Sequence, residues 1–132
     1  MPTIFTRIIN GEIPSYKIAE TDQFLAFLDI RPMAKGHTLC IPKAEIDYIF
    51  NVDDDLLGDL MVFAKKVARA VEAVVPCKRI GVAVVGIEVP HAHIHLIPIN
   101  AVTDLGFGRA PVEVSAEEMA ALASEIASRV RL

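Results

Sequence analysis

Between residues 54 and 75 the apolar positions Leu56, Leu60, Phe63, Val67, Val71 and Val74 form one stripe at helical spacing, while Asp55, Asp59, Lys66, Arg69 and Glu72 fall opposite. Asp53 stands just ahead as an N-cap. The pattern predicts one long helix with a single buried face. Ile4 to Ile9 predicts a short amphipathic helical turn closed by Asn10-Gly11. Tyr16 to Glu20 and Phe24 to Leu28 predict a hairpin, and Thr38 to Ile41 a further strand before Pro42. Arg79 to Gly86, rich in Val and Ile, predicts a strand that turns over Gly86 to Pro90 and returns as His91 to Ile99. Ser115 to Arg131 opens with the capping-box pair Ser115 and Glu118 and predicts a C-terminal helix. Strands and helices segregate along the chain, which points to α+β.

The returning strand carries the candidate chemistry. His91, His93 and His95 occupy alternate positions, so in a strand their rings share one face with neighbours about 6.5 to 7 Å apart, while Ala92, Ile94 and Leu96 face the core. Three readings fit. The rings can fill polar, solvent-facing slots. They can bind a metal, although His91 and His95 are separated by about 13 Å along a strand, so a site would need two of the three with His37. They can also do phosphorus chemistry, one neutral ring attacking while a protonated neighbour meets the oxyanions or the leaving group.

Composition narrows the field. With 132 residues, 53% of them hydrophobic, the chain suits one domain spanning 1–132 with a real core. No apolar run approaches the roughly 18 residues of a membrane span. The N-terminus MPTIFTRIINGEIP lacks the pattern of an export signal, and Cys40 and Cys77 lack the spacing of a zinc knuckle or a disulfide scaffold. A cytoplasmic protein with reduced thiols is the expectation. A net charge of −4 with interspersed signs leaves no basic face for a polynucleotide, though a small anion held by a few groups fits.

The triad His91-x-His93-x-His95 comes with three more blocks: Ile4-Phe5-x-x-Ile8-Ile9-x-x-Glu12-Ile13-Pro14, Ala26-Phe27-Leu28-Asp29-Ile30-x-Pro32, and Gly36-His37-x-Leu39-x-Ile41-Pro42-Lys43. In order and spacing they resemble the blocks of the histidine triad (HIT) superfamily of nucleotide hydrolases and transferases. The resemblance implies a HIT-like α+β domain: a five-stranded antiparallel sheet, one long central helix and a C-terminal helix, paired into a homodimer. It implies attack on the α-phosphate of a purine nucleotide, with His93 as nucleophile and His91, His95 and His37 around it. Ile4, Phe5, Ile8, Phe27, Leu28, Ile30 and Leu39 would line the base pocket, and Asp29 would accept the ribose hydroxyls. No metal or cofactor is required; magnesium would accompany only a polyphosphate substrate.

The departure precedes the triad. Where hydrolases of the family commonly carry Gly-Gln-x-Val-x-His after a longer loop, this chain has Gly86-Ile87-Glu88-Val89-Pro90-His91. Glu88 near a phosphate would repel it unless paired, and so would favour a cationic or amine leaving group. The leading expectation is a hydrolase of purine nucleoside phosphoramidates or related nucleotidyl substrates, acting through a nucleotidyl-histidine. Its rivals are a catalytically weak nucleotide-binding module of the same fold and a histidine-ligated metal protein. Ala101 to Pro111 is open between a loop near the site and a subunit contact.

Overall fold

The computed structural model describes residues 2–132. Its elements are α1 (Ile4–Ile9), β1 (Lys17–Glu20), β2 (Phe24–Leu28), β3 (Thr38–Pro42), α2 (Asp54–Val74), β4 (Arg79–Ala83), β5 (Ile94–Ile99) and α3 (Ala116–Ala127), with short 3-10 turns at Ile49–Asn51 and Val102–Asp104. The helices start where the caps place them. Thr3, Asp53 and Ser115 each accept a backbone N–H, from Thr6, Leu56 and Glu118, at 3.0, 2.9 and 3.1 Å.

Five strands form one antiparallel sheet in the order β1-β2-β3-β5-β4, as the α+β reading expects. One face lies under α2 and α3 and holds the larger core. There Ala26, Leu28, Ile94 and Leu96 from the sheet meet Leu60, Phe63, Val67 and Val71 from α2 and Leu122 and Ile126 from α3. The opposite face is partly covered by α1: Phe5 packs with Leu25, Phe27, Leu39 and Ile41, and Ile8 joins from the rim. Alternation along each strand thus feeds two apolar layers. Cys40 and Cys77 are both free, and burial holds the Cys40 thiol far above its ordinary range. Among the described residues no helix is long and apolar enough to cross a membrane.

The boundaries differ from the sequence reading in three places. β4 ends at Ala83 and not at Gly86, and α3 ends at Ala127 and not at Arg131. Most consequential, β5 begins at Ile94, so His91, Ala92 and His93 precede the strand. Pro90 has no N–H to give a ladder, and the Ala92 N–H donates at 2.7 Å to the carbonyl of Ile46 in the loop after β3. The segment is held by that loop and not by a strand partner.

Gly36 sits in the β2–β3 turn at φ +94°, and a Cβ there would come within 2.8 Å of Val75 Cγ2. The left-handed conformation alone disfavours a side chain by about 1–2 kcal/mol. Gly36→Ala is therefore expected to lower unfolding free energy by roughly 1–3 kcal/mol, read from urea midpoints.

Candidate active site

β5 is an inner strand, with Leu39 of β3 opposite His95 on one side and Ala83 of β4 on the other. His37, immediately before β3, reaches the same place from the β2–β3 turn. The turn is closed by the Asp29 N–H donating to the His37 carbonyl at 3.0 Å and the Thr38 hydroxyl donating to the Gly36 carbonyl at 2.9 Å. All four histidines are buried: His91 is 0% exposed, His37 2%, His93 and His95 7% each. The solvent-facing reading of the triad is thereby overturned, because α1, Phe5 and the loops close over that face of the sheet.

The hydrogen bonds assign the ring protons. The Met33 backbone N–H can only donate, so His37 Nδ1, 3.0 Å away, is bare and the proton of the neutral ring is on Nε2. That Nε2–H donates to His95 Nδ1 at 2.9 Å, which places the His95 proton on Nε2. His93 Nδ1 lies 2.7 Å from the carbonyl oxygen of His91, which can only accept, so Nδ1 carries the hydrogen and Nε2 is left as a lone pair. One ring thus presents a nucleophilic nitrogen while its neighbour, with ring centroids 4.8 Å apart, presents an N–H.

Burial also sets the charges. Desolvation lowers His37 to a pKa of about 4 and His95 to about 3, with the nearby His93 ring as a smaller cause in both. His91 is lowered by burial too, against the opposing pull of the Pro42 carbonyl and of Glu45. The expectation of a protonated neighbour at neutral pH therefore fails for the free protein: His37 and His95 act through N–H dipoles and not through a full positive charge. Asp29 is raised by its burial, opposed first by the Arg31 backbone N–H that donates to Oδ1 at 2.9 Å.

In front of these rings is a cavity of about 620 Å³, within the range of small-molecule sites. His93, His95, His37, Asp29, Ile30, Leu39, Phe27, Glu88 and the α1 residues Ile4, Phe5 and Ile8 all line it. Leu28 is also in the wall, but its side chain belongs to the helix-facing core. Of the residues named from the sequence only His91 is absent from the wall; it stands behind His93, its ring edge-on to Phe5 at 5.8 Å between centroids. Ile30 is 73% exposed at the rim, and Glu88 is exposed as well.

The wall residues that went unrecognised in the sequence include Arg31, Met33, Phe107 and Arg109. The Phe107 ring stands edge-on to His95 at 5.0 Å, and Arg109 beyond it donates to the Thr103 carbonyl at 2.7 Å. The segment left open between loop and subunit contact thus includes a loop at the site. An aromatic residue between two glycines, Gly106-Phe107-Gly108, was the available signal. A metal would find its donors elsewhere than in the triad alone: one atom each of Asp29, His37 and His95 lie within 4.8 Å of one another.

A sheet that buries one face under two helices, and on the other sets two rings of one segment and a third from a turn before a cleft, with a fourth ring behind them, is not confined to this chain. The HIT domain model matches residues 10–102, and the chain belongs to the HIT family. It is 38% identical over 134 residues to the adenosine 5'-monophosphoramidase of Schizosaccharomyces pombe, covering 99% of this chain and 100% of that protein. With the adenosine 5'-monophosphoramidase of Saccharomyces cerevisiae it shares 42% identity over 96 residues, 72% of this chain and 61% of that one. The crystal structure of a Hit-like protein involved in cell-cycle regulation from Bartonella henselae superposes with a TM-score of 0.82 at 29% identity, covering 97% of this chain and 96% of that chain.

Because both ring pKa values fall below the unfolded value of about 6.5, the neutral rings support the fold fully above that pH, and the support is lost as pH drops from about 6.5 toward 4. Urea midpoints are expected to hold between pH 7.5 and about 6.5 and to fall from there to pH 5. His37→Gln, which cannot titrate, should flatten that slope.

Proposed function

We propose that the protein is a hydrolase of purine nucleoside phosphoramidates and related nucleotidyl substrates, with His93 as the nucleophile. The observation that carries the reading is the bare Nε2 of His93 in the wall of a cavity whose far side is apolar and whose rim holds Asp29. Two relatives named as adenosine 5'-monophosphoramidases support the substrate class.

In the proposed route, the apolar wall of Ile4, Phe5, Ile8, Phe27 and Leu39 takes the purine by contact, which leaves base selectivity loose. Asp29 accepts the vicinal ribose hydroxyls. The His93 Nε2 lone pair forms a bond to the α-phosphorus as the bond from phosphorus to the amine breaks, and the amine nitrogen takes a proton from solvent, which the attacking water of the second step gives back. The Nδ1–H to the His91 carbonyl gains strength as the ring becomes cationic. Water then attacks phosphorus, the histidine–phosphorus bond breaks, and the nucleoside monophosphate departs. The N–H of His95, fed from His37, meets phosphate oxygens throughout. The route calls for no metal.

One observation favours the weaker-turnover reading: Ile87 is 83% exposed, and residues 84–90 between β4 and the triad hold no regular structure. In that segment only Glu88 offers a charged side chain to a leaving group. The homodimer stays part of the proposal, and the exposed Val82, Val84 and Val85 on and beyond the uncovered edge strand β4 suit it.

The test is turnover of adenosine 5'-phosphoramidate. His93→Ala is expected to lose on the order of 10³-fold or more in rate while still binding AMP. A wild type that binds AMP and never turns over, even in a single-turnover assay, would leave only the binding module. Glu88→Gln should lower the preference for a phosphoramidate over a dinucleotide polyphosphate; unchanged relative rates would remove Glu88 from the account.

A further inference from the structure

Behind the reactive ring runs a chain of hydrogen bonds that leaves the cavity for the surface. The His91 ring lies between two partners. Its Nε2 is 2.8 Å from the Pro42 carbonyl oxygen, which can only accept, so Nε2 carries the hydrogen and Nδ1 of the neutral ring needs a donor. The hydroxyl of Thr3 is 2.9 Å from Nδ1.

That hydroxyl has one hydrogen and a competing destination, since Thr6 Oγ1 is 3.3 Å away and itself lies 3.5 Å from the same Nδ1. Glu45 resolves the competition. Its Oε1 accepts the Thr6 hydroxyl at 2.7 Å and the Thr3 backbone N–H at 2.8 Å. With the Thr6 hydrogen committed outward and the Thr6 N–H donating into Thr3 Oγ1 at 3.0 Å, the Thr3 hydroxyl is oriented to give its own hydrogen to His91.

The end of β3 and the loop after it supply the backbone and carboxylate anchors of this arrangement. Pro42 takes the ring, Ile46 takes the Ala92 N–H at 2.7 Å, and Glu45 stands between them. The His91 carbonyl, fixed by the same contacts, receives the His93 Nδ1–H.

We propose that Glu45, an exposed residue outside the cavity, is a positioning residue for the reactive imidazole: it directs the protons of Thr6 and Thr3 so that His91 Nδ1 keeps a single donor and the ring a single orientation, and His91 in turn holds the His93 ring with Nε2 bare. The role needs an acceptor at this position. A glutamine oxygen can fill it; an alanine leaves the Thr6 hydroxyl free to compete for Nδ1. The kinetic consequence rests on the hydrolase reading above, whereas the proton arrangement does not.

Ring-nitrogen NMR of the whole protein tests the arrangement directly, beside turnover of adenosine 5'-phosphoramidate and binding of AMP. Wild type is expected to show His91 as the Nε2–H tautomer alone. Glu45→Ala should keep that tautomer, which Pro42 fixes, but shift and broaden the Nδ1 resonance as two hydroxyls compete for it, and lower kcat by roughly tenfold, with KM and AMP affinity within about twofold. Glu45→Gln should restore both the spectrum and kcat, and Thr3→Ser, which keeps the hydroxyl, should resemble wild type where Thr3→Val does not. A His91 spectrum unchanged in Glu45→Ala, or one that Glu45→Gln fails to restore, overturns the proposal. If wild type turns over no phosphoramidate, the hydrolase reading fails while the spectra still decide the role of Glu45.

Discussion

The hydrogen bond from His93 Nδ1 to the His91 carbonyl, 2.7 Å long, is the contact on which the site turns. A backbone oxygen has no proton to give, so it forces the ring's hydrogen to one nitrogen and leaves the other available. The same contact needs no second side chain, because donor and acceptor are two residues apart. What it does need is a backbone held still, and the Ala92 N–H bond to Ile46 holds it. A regular ladder would have spent the His91 carbonyl on a neighbouring strand. The late start of β5 at Ile94 is therefore part of how the site works.

Burial works in the same direction. Four imidazoles at less than a tenth exposure would repel one another if charged, and desolvation keeps His37 and His95 neutral far below physiological pH. Neutral rings can form a directed chain, each donating on one side and accepting on the other. Among the described residues no buried side-chain nitrogen or oxygen lacks a partner. The fully enclosed polar atoms are thus satisfied, which is the condition for burying them at all, while His93 Nε2 and the His95 Nε2–H are left to the cleft.

Much of this was legible in the chain. The stripe on α2, the caps at Asp53 and Ser115, and the alternation of Ala92, Ile94 and Leu96 against the triad are local signals, and local physics decides them. The two apolar layers follow from the same alternation. Three things were not legible. The end of β4 at Ala83 depends on where its partner strand begins, and that is a tertiary matter. The neutrality of His37 and His95 depends on burial that a sequence does not reveal. Phe107 reaches His95 by a loop whose path is set by Asp104 and Arg109, which bond the backbone at Asn100 and Thr103.

The segment from His91 to Leu96 writes two messages in one alphabet: odd positions carry the buried imidazoles and even positions carry buried apolar side chains, Ile94 and Leu96 in the core under α2. Gain or loss of a single residue within it would exchange them, setting imidazoles among aliphatic chains and isoleucine before the cleft. A change of two residues would keep the two faces and yet move the bare nitrogen by about 7 Å. The stretch is constrained in length as firmly as in composition, and room for inserted residues is left to the loops on either side.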